Sequence, residues 1–386
     1  MVKRYLIACT ALVLAVFSCQ QAESPADNKI KANTTHQVEN IVFSSDSTQE
    51  VKNIIFLIGD GMGLTQIYAG MTANMGKLNL ENMPVIGMIK TYSSDAYITD
   101  SAAGATAFSA GEKTYNGAIG VDKEGNPVET ILEIAEEQGK ATGLISTSSI
   151  THATPASFIA HQPKRSMEEE IAADFLKTDI DVFIGGGKQF FTSRGDGQDL
   201  TQQLKEKGYN VAFSMEDAAK VTDGKLAALT ADNANPKFSE GRGDMLPNAT
   251  EKAIELLSQN EEGFFLMVEG SQIDWGGHAN DIQYVVDEML DFDRTIAKAL
   301  EFAAKDKHTL VVVTADHETG GLTLNGGNID DGEVEAAFTT GGHTSVAVPV
   351  FAFGPKATAF QGFYENTAIF QKFLNAYSFS NLTAEN

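Results

Sequence analysis

The chain has 386 residues, of which 42% are hydrophobic and 21% are charged, as in ordinary soluble globular proteins. Its formal net charge is −24 at pH 7, which argues against nucleic acid as a specific partner. An acidic protein also repels anionic substrates, unless bound divalent cations reverse the field at the site.

The first residues have the pattern of an export signal. A basic start at residues 1–4 precedes an apolar run at 5–17, which is too short to span a membrane. We therefore predict a signal peptide over residues 1–18. The tetrad at 16–19 resembles the lipobox of bacterial lipoproteins, with Cys19 as the lipidated N-terminus, although Phe17 is not the usual small residue. The alternative is a plain signal peptide that is cleaved nearby.

Residues 19–48 are polar and contain few large apolar side chains, which predicts a flexible tether. A single domain is then expected over residues 49–386. The chain has only two cysteines, Cys9 and Cys19, so this domain has no disulfide even though it is predicted to be exported. The expected location is the periplasm or, for a lipoprotein, the outer membrane.

Apolar runs of strand length alternate with helical patterns along the domain. The predicted strands are Asn53–Ile58, Ala141–Ser146, Asp181–Ile184, Phe264–Val268, Leu310–Thr314 and Val346–Phe353. The predicted helices include Val128–Gln138, Met167–Leu176, Ala249–Ser258 and Ile282–Lys305. This alternation predicts an α/β fold with a central, mostly parallel sheet and helices on both faces.

A run of small residues at 101–107 follows the polar pair Asp100 and Ser101. Asp100 is a good N-cap candidate, so Ser101 is expected in the first turn of a helix. Free N–H groups and the helix dipole favour an anion there. A serine alkoxide, or a phosphate esterified to it, would be stabilised at this position. The alternative is an ordinary N-cap before an alanine-rich packing helix.

Polar side chains follow four of the predicted strands, and ligands bind beyond the carboxyl ends of strands in an open parallel sheet. These segments start at Gly59, Thr147, Glu269 and Ala315. The candidate ligands that they and a later glycine-rich loop supply are Asp60, His152, Thr154, Glu269, Asp274, His278, Asp316, His317 and His343.

Mixed carboxylate and imidazole ligands are typical of zinc. Asp274 and His278 are four residues apart, so one helical turn would place both on the same face. Glu269 and Thr154 offer oxygen, which suits a harder ion such as Mg²⁺. Each of these residues also has an ordinary structural reading, such as a hydrogen-bonded histidine, a salt bridge for Glu269 or a turn hydroxyl for Thr154. The remaining histidines, at positions 36, 161 and 308, are expected to be structural or solvated.

Together these segments resemble the alkaline phosphatase family, in the family's order and over roughly residues 52 to 355. The motifs that carry the resemblance are Gly59–Gly63, Thr99–Ala103 with Gly111–Ala118, His152–Pro155, Val268–Gly270, Asp274 with His278, Thr314–His317 and Gly342–Thr344.

The resemblance implies hydrolysis of phosphate monoesters to an alcohol and inorganic phosphate, with Ser101 as the nucleophile that becomes phosphorylated and Arg165 as the guanidinium that grips the phosphate. It implies three metal sites: one Zn²⁺ held by Asp274, His278 and His343, a second Zn²⁺ held by Asp60, Asp316 and His317, and a Mg²⁺ held by Asp60, Thr154 and Glu269. It also suggests a homodimer.

Two positions depart from the best-known bacterial members, which carry Asp where this chain has His152 and Lys where it has Trp275. Both residues are expected next to the substrate, and the imidazole leaves the identity of the third ion open. Only 25 residues separate His317 from His343, which leaves little room for an inserted lobe, so one compact domain is expected.

Other readings remain open from the sequence. A related phosphodiesterase or sulfatase could share the scaffold, but the Cys/Ser-x-Pro-x-Arg signature of formylglycine sulfatases is missing around Ser101, and Arg165 favours a terminal phosphate. A non-catalytic metal- or phosphate-binding lipoprotein would keep the metal ligands and need no nucleophile.

Overall fold

The structure is a computed structural model and describes residues 29–42 and 49–379. Within these ranges the strands are β1 (Lys29–Lys31), β2 (Asn53–Gly59), β3 (Val85–Lys90), β4 (Ala141–Ser149), β5 (Val182–Gly186), β6 (Tyr209–Ala212), β7 (Lys225–Leu229), β8 (Phe264–Gly270), β9 (Thr309–Thr314), β10 (Glu318–Thr319), β11 (Leu322–Asn328), β12 (Glu333–Phe338), β13 (His343–Thr344), β14 (Val348–Phe353) and β15 (Gly362–Glu365).

The α-helices of the same ranges are α1 (Leu64–Ala73), α2 (Ser101–Ala110), α3 (Ile131–Glu137), α4 (Ala153–Ala156), α5 (Glu168–Asp174), α6 (Lys188–Thr192), α7 (Leu200–Glu206), α8 (Met215–Ala218), α9 (Met245–Leu257), α10 (Gln272–His278), α11 (Ile282–Asp306) and α12 (Ala368–Tyr377). No helix among the described residues is long and apolar enough to cross a bilayer.

The core of the protein is a ten-stranded sheet in the order β15-β3-β14-β9-β2-β8-β4-β5-β7-β6. Neighbouring strands are parallel except at β14, which runs antiparallel to both β3 and β9. Every residue of β2, β4, β8 and β9 is buried. Strands that are buried along their whole length are expected where helices cover both faces of a parallel sheet.

This architecture confirms the predicted α/β fold with a mostly parallel sheet. The six predicted strands correspond to β2, β4, β5, β8, β9 and β14, and the four predicted helices correspond to α3, α5, α9 and α11. The structure adds two smaller sheets, a three-stranded one in the order β1-β12-β11 and a two-stranded one formed by β10 and β13.

The predicted tether is wrong for residues 29–42, which pack on the domain. Strand β1 pairs with β12, Asn33 Nδ2 donates to Asp287 Oδ2 at 2.7 Å, and His36 Nε2 lies 2.7 Å from Asp293 Oδ2. Polar residues thus hold this segment by long-range hydrogen bonds. The predicted signal peptide, Cys19 and the rest of the predicted tether lie outside the described residues.

Candidate active site

The four central strands β9, β2, β8 and β4 are neighbours, and their carboxyl ends bring the candidate residues together. Asp60 follows β2, Glu269 is the penultimate residue of β8, and the Asp316–His317 pair follows β9. Strand β14 runs antiparallel to β9. His343, in the short strand β13 just before β14, therefore lies at the same edge of the sheet.

Helix α2 places Ser101 at this edge. The Asp100 side chain accepts a hydrogen bond from Ala103 N at 3.0 Å, which confirms Asp100 as the N-cap. All ten residues of α2 are buried, and a Cβ atom on Gly104 would lie only 3.1 Å from Asp316 Cβ. Small side chains therefore allow the first turn to approach the loop after β9, where Ser101 Oγ lies 3.3 Å from His317 Nε2.

The first ligand group contains Asp274, His278 and His343. As predicted, Asp274 and His278 share one face of α10, with Asp274 Oδ2 3.3 Å from His278 Nε2. His343 Nε2 lies 3.5 Å from Asp274 Oδ1 and 3.1 Å from His278 Nε2. The other ring nitrogens contact backbone carbonyls, His278 Nδ1 that of Gly341 at 2.7 Å and His343 Nδ1 that of Thr99 at 2.8 Å. These contacts turn both Nε2 atoms towards Asp274.

The second group is centred on His317, which follows β9. Its Nε2 atom is 3.5 Å from Asp60 Oδ1 and 3.2 Å from Asp316 Oδ2, and all three side chains are fully buried. The rings of His317 and His343 stack with centroids 3.5 Å apart, so the two groups are in direct contact.

A third group consists of Asp60, His152 and Glu269, whose potential ligand atoms lie within 4.8 Å of one another. Glu269 Oε2 accepts from Ser271 Oγ at 2.6 Å and from Ser148 Oγ at 3.2 Å, which leaves Oε1 without a hydrogen bond. Thr154, in the short helix α4, also has a fully buried hydroxyl without a hydrogen-bond partner.

Several buried polar atoms without a hydrogen-bond partner lie together in this one region. Among the described residues they include Asp60 Oδ1 and Oδ2, His152 Nδ1, Thr154 Oγ1, Glu269 Oε1 and Asp316 Oδ2. A buried oxygen or nitrogen without a partner is costly, and native proteins leave few of them. Cations would satisfy all of these atoms, so the donor set fits metal ions.

Arg165 supplies a positive charge beside Ser101. Its Nη1 atom donates to Asp100 Oδ2 at 3.0 Å, and its Nη2 atom lies 3.2 Å from His152 Nε2. The His152 ring in turn packs edge-on against Trp275, with centroids 6.1 Å apart. The helix that carries the nucleophile candidate and the loop after β4 are thus joined through one guanidinium group.

Known proteins share both this sequence and this fold. A sequence profile of the alkaline phosphatase family matches residues 51–337. The chain belongs to the alkaline phosphatase family. Alkaline phosphatase 3 of Bacillus subtilis is 37% identical over 417 residues, which cover 86% of this chain and 90% of that protein.

Solved alkaline phosphatase structures agree with this assignment. The enzyme from the Antarctic bacterium TAB5 superposes with a TM-score of 0.82 at 47% identity, over 86% of this chain and 99% of that one. A variant of the TAB5 enzyme with a histidine replaced by glutamate has Mg bound in its M3 site, and superposes with a TM-score of 0.81 at 46% identity, over 85% of this chain and 98% of that one. The chain is therefore a metal-binding hydrolase of phosphate monoesters.

The electrostatics of this alkaline phosphatase site show a shortage of positive charge. Burial and the neighbouring Asp316 carboxylate raise the pKa of Asp60 well above its ordinary value. Burial, together with the charge of Asp274, raises the pKa of Asp316 to about 8. Burial also raises the pKa of Glu269 to about 7, although the Ser271 hydroxyl opposes this shift. Divalent cations would stabilise the ionised form of each group.

The outer ligand group behaves differently. Burial opposes ionisation of Asp274, but the His278 hydrogen bond and the nearby His317 and His343 rings hold its pKa below the ordinary value. The same hydrogen bond raises the pKa of His278 to about 9. Without a metal ion, this pair is an aspartate–imidazolium ion pair.

The imidazoles of His152, which is half-buried, and His317, which is fully buried, are held neutral. Burial, reinforced by the Arg165 charge, lowers the pKa of His152 to about 3. Burial and the stacked His343 ring lower the pKa of His317 well below its ordinary value. Each neutral ring has one unprotonated nitrogen, which metal coordination requires, and in His152 this nitrogen is Nε2, which accepts from Arg165 Nη2.

Sequence patterns missed two residues that organise this site. Thr319 Oγ1 contacts both Asp274 and His317, and the buried Glu318 carboxylate accepts from Gln66 Nε2 at 2.7 Å, from Leu322 N at 3.0 Å and from Thr344 Oγ1. Their position directly after Asp316 and His317 was the only available signal, because several of their partners, Gln66, Asp274 and Thr344, lie at least 26 residues away in the sequence.

Proposed function

We propose that the chain hydrolyses phosphate monoesters through a phosphoserine at Ser101, with two Zn²⁺ ions and a Mg²⁺ ion. The observation that carries the proposal is the position of Ser101 Oγ at the start of α2, beside the ligand groups and 3.3 Å from His317 Nε2. A serine that served only to pack the helix would not need unpartnered carboxylates around it.

The protein groups around Ser101 suit phosphoryl transfer. Ser101 Oγ attacks phosphorus, the ester oxygen leaves with the alcohol, and water then attacks the phosphoserine to release inorganic phosphate. The N-terminal N–H groups of α2 and the Arg165 guanidinium stabilise negative charge on the transferred group. Arg165 uses one N–H on Asp100 and one on His152, which orient the fork, and has further N–H groups for phosphate oxygens.

In this proposal the zinc ligands are the first and second groups, and Mg²⁺ is held by Asp60, Thr154 and Glu269. When bound, the metal ions supply Lewis-acid stabilisation of the serine oxygen, the leaving oxygen and the attacking water. Asp60 belongs to both the second and the third group, so it links the two sites.

His152 lies beside the proposed site of the third ion, and Trp275 packs against His152. The His152 ring forms one group with Asp60 and Glu269, but Arg165 Nη2 donates to its Nε2, so the neutral ring carries its proton on Nδ1. An imidazole can enter the ligand sphere through Nδ1 only if the ring takes the other tautomer and gives up the Arg165 contact. Nitrogen ligands favour a softer ion than Mg²⁺. In the TAB5 enzyme, a variant in which glutamate replaces a histidine has Mg bound in its M3 site. This variant supports a link between a histidine and the choice of ion.

We also propose export by the signal peptide at 1–18, with lipidation of Cys19 and possible assembly as a homodimer. These proposals are supported by the sequence pattern at the N-terminus and by the family resemblance. Globomycin treatment of expressing cells would test lipidation, because it blocks cleavage of lipoprotein precursors only.

Turnover of a chromogenic phosphate monoester and its diester tests the proposed function. We expect the purified enzyme to prefer the monoester strongly, to lose activity after exhaustive chelation and to regain it with Zn²⁺ and Mg²⁺. Activity that persists in a sample shown to be metal-free would contradict the mechanism, and preference for the diester would contradict the substrate class.

A further inference from the structure

Thr319 lies where the ligand-bearing segments meet. It pairs with His343 in the two-stranded sheet of β10 and β13, and its side chain is fully buried. A Cβ atom on Gly61 would come within 2.8 Å of Thr319 Oγ1, and one on Gly277 within 2.9 Å of Thr319 Cβ. Thr319 is therefore enclosed between the turn that carries Asp60 and the helix α10.

The hydroxyl of Thr319 contacts one residue from each zinc ligand group. Its Oγ1 atom lies 2.5 Å from Asp274 Oδ1 and 3.2 Å from His317 Nδ1. A hydroxyl has one proton to donate, and a carboxylate oxygen only accepts. The proton is therefore donated to Asp274, and the Oγ1 lone pair accepts from His317 Nδ1–H.

This assignment decides which nitrogen of His317 is available. In a neutral imidazole, a proton on Nδ1 leaves Nε2 with a free lone pair. Nε2 is the atom that lies close to Ser101 Oγ, at 3.3 Å, and close to the carboxylates of Asp60 and Asp316. A lone pair between carboxylate oxygens is a suitable ligand for a cation.

We propose that Thr319 is a positioning residue, whose hydroxyl fixes His317 with Nε2 unprotonated towards Ser101 and ties that ring to Asp274. The inference rests on the proposed function, in which His317 and Asp274 belong to different zinc sites. Loss of the hydroxyl would therefore weaken both sites together.

The test compares a substitution that removes the hydroxyl with one that keeps it. Thr319→Val keeps the branched shape without the hydroxyl, whereas Thr319→Ser keeps the hydroxyl. Thr142→Val is the matched control, because the Thr142 hydroxyl is also buried but has no hydrogen-bond partner, and it lies near the start of β4, away from the site.

Zinc affinity is measured by competition with a chromogenic chelator, using Zn²⁺ alone, and kcat and KM are measured with a chromogenic monoester. Removal of an outer-shell partner typically costs about 10–100-fold in metal affinity or activity. We expect a loss of this size in zinc affinity and kcat for Thr319→Val, with a smaller change in KM. Thr319→Ser and Thr142→Val should stay within about threefold of wild type. Equal losses for Val and Ser would show that only the shape of Thr319 matters and would overturn the proposal.

Nitrogen-15 NMR of the histidine rings reads the tautomer directly in the wild-type holoenzyme, with His317 assigned by comparison with His317→Gln. The proposal predicts a proton on His317 Nδ1 in wild type, and a proton on Nε2 would overturn it even if Thr319→Val did not fold. Failure of the proposed function would instead appear as full activity of Ser101→Ala, and would leave the tautomer and zinc affinity unchanged.

Discussion

Replacement of Arg165 by alanine tests how the site recognises a terminal phosphate. The guanidinium is 30% exposed and is held by Asp100, with Nη1 3.0 Å from Asp100 Oδ2. Because Asp100 also caps α2, the same carboxylate sets the position of both Arg165 and Ser101. Arg165→Ala therefore removes the proposed phosphate contact and leaves the N-cap in place.

The size of the effect follows from the hydrogen bonds that are lost. A hydrogen bond to a charged group contributes about 1.5–3 kcal/mol, which corresponds to roughly 10–150-fold in affinity. Partial exposure of Arg165 places the expected effect towards the lower end. We expect the inhibition constant of inorganic phosphate to rise about 10–50-fold, with a similar fall in kcat/KM for monoesters.

The assay compares a chromogenic monoester with its diester. A monoester dianion has three non-bridging oxygens for a bidentate fork, whereas a diester has two and carries less charge, so its kcat/KM should fall less. Arg165→Lys should recover only part of the loss, since an ammonium group cannot donate in parallel to two oxygens.

Two controls separate recognition from structure. Asp100→Asn keeps an efficient N-cap but weakens the ionic contact to Arg165, so phosphate inhibition should weaken less than in Arg165→Ala. Arg194→Ala removes an arginine that pairs with Asp196 outside the site, and should leave phosphate inhibition unchanged. If Arg165→Ala lowers kcat/KM equally for both substrates, Arg165 is structural and the reasoning is refuted.

Three further predictions concern the metal sites and the N-terminal segment. In the metal-free protein, the raised pKa values of Asp316, about 8, and Glu269, about 7, mean that the folded state keeps protons that the unfolded chain releases near pH 4. The lowered pKa values of His152 and His317 act in the opposite sense up to about pH 6.5, where histidines of the unfolded chain lose their protons. The melting temperature should therefore fall as the pH rises from about 6.5 to 8, and a flat profile over that range would contradict these shifts. His152→Asp should raise the affinity for Mg²⁺, and Trp275→Lys should lower the inhibition constant of inorganic phosphate. If neither constant changes by more than about twofold, both residues are packing elements. His36→Ala should lower the free energy of unfolding by about 1–2 kcal/mol with kcat unchanged, measured by urea denaturation, and unaltered stability would contradict the packing of this segment.

The fold was largely predictable because its central strands are buried on both faces. Strands β2, β8 and β9 therefore appear in the sequence as continuous apolar runs, and the polar residues that follow them mark one edge of the sheet. Strand β3 was harder to recognise, because its accessible positions carry the apolar residues Ile86 and Met88 and a glycine interrupts it, so its burial does not appear as polar alternation in the sequence. Strands β10 and β13 have only two residues each, which is too short for any periodic pattern.

The packing of residues 29–42 could not be predicted from local composition. The segment is polar, and it is held by partners such as Asp287 and Asp293, which lie about 250 residues away in α11. Asp293 also accepts from Asn79 N at 2.8 Å and from Leu80 N at 3.0 Å, so His36 joins a network that exists only in the folded chain.

Individual ligands were easier to predict than the contacts between them. Asp274 and His278 could be placed together from their spacing, because one helical turn separates them. The contact of Arg165 with His152 and the bridging position of Thr319 join separate loops, and loop paths are not encoded by periodicity.

The central claim is a covalent phosphate on Ser101, and mass spectrometry of acid-quenched enzyme tests it most directly. Wild-type enzyme is mixed with a phosphate monoester, quenched in acid within the first turnovers and digested. We expect phosphorylation to add about 80 Da to the peptide that contains Ser101. This added mass should be absent from Ser101→Ala, which should retain phosphate binding but lose orders of magnitude in kcat. Phosphate on a different residue, or turnover by Ser101→Ala at the wild-type rate, would contradict it.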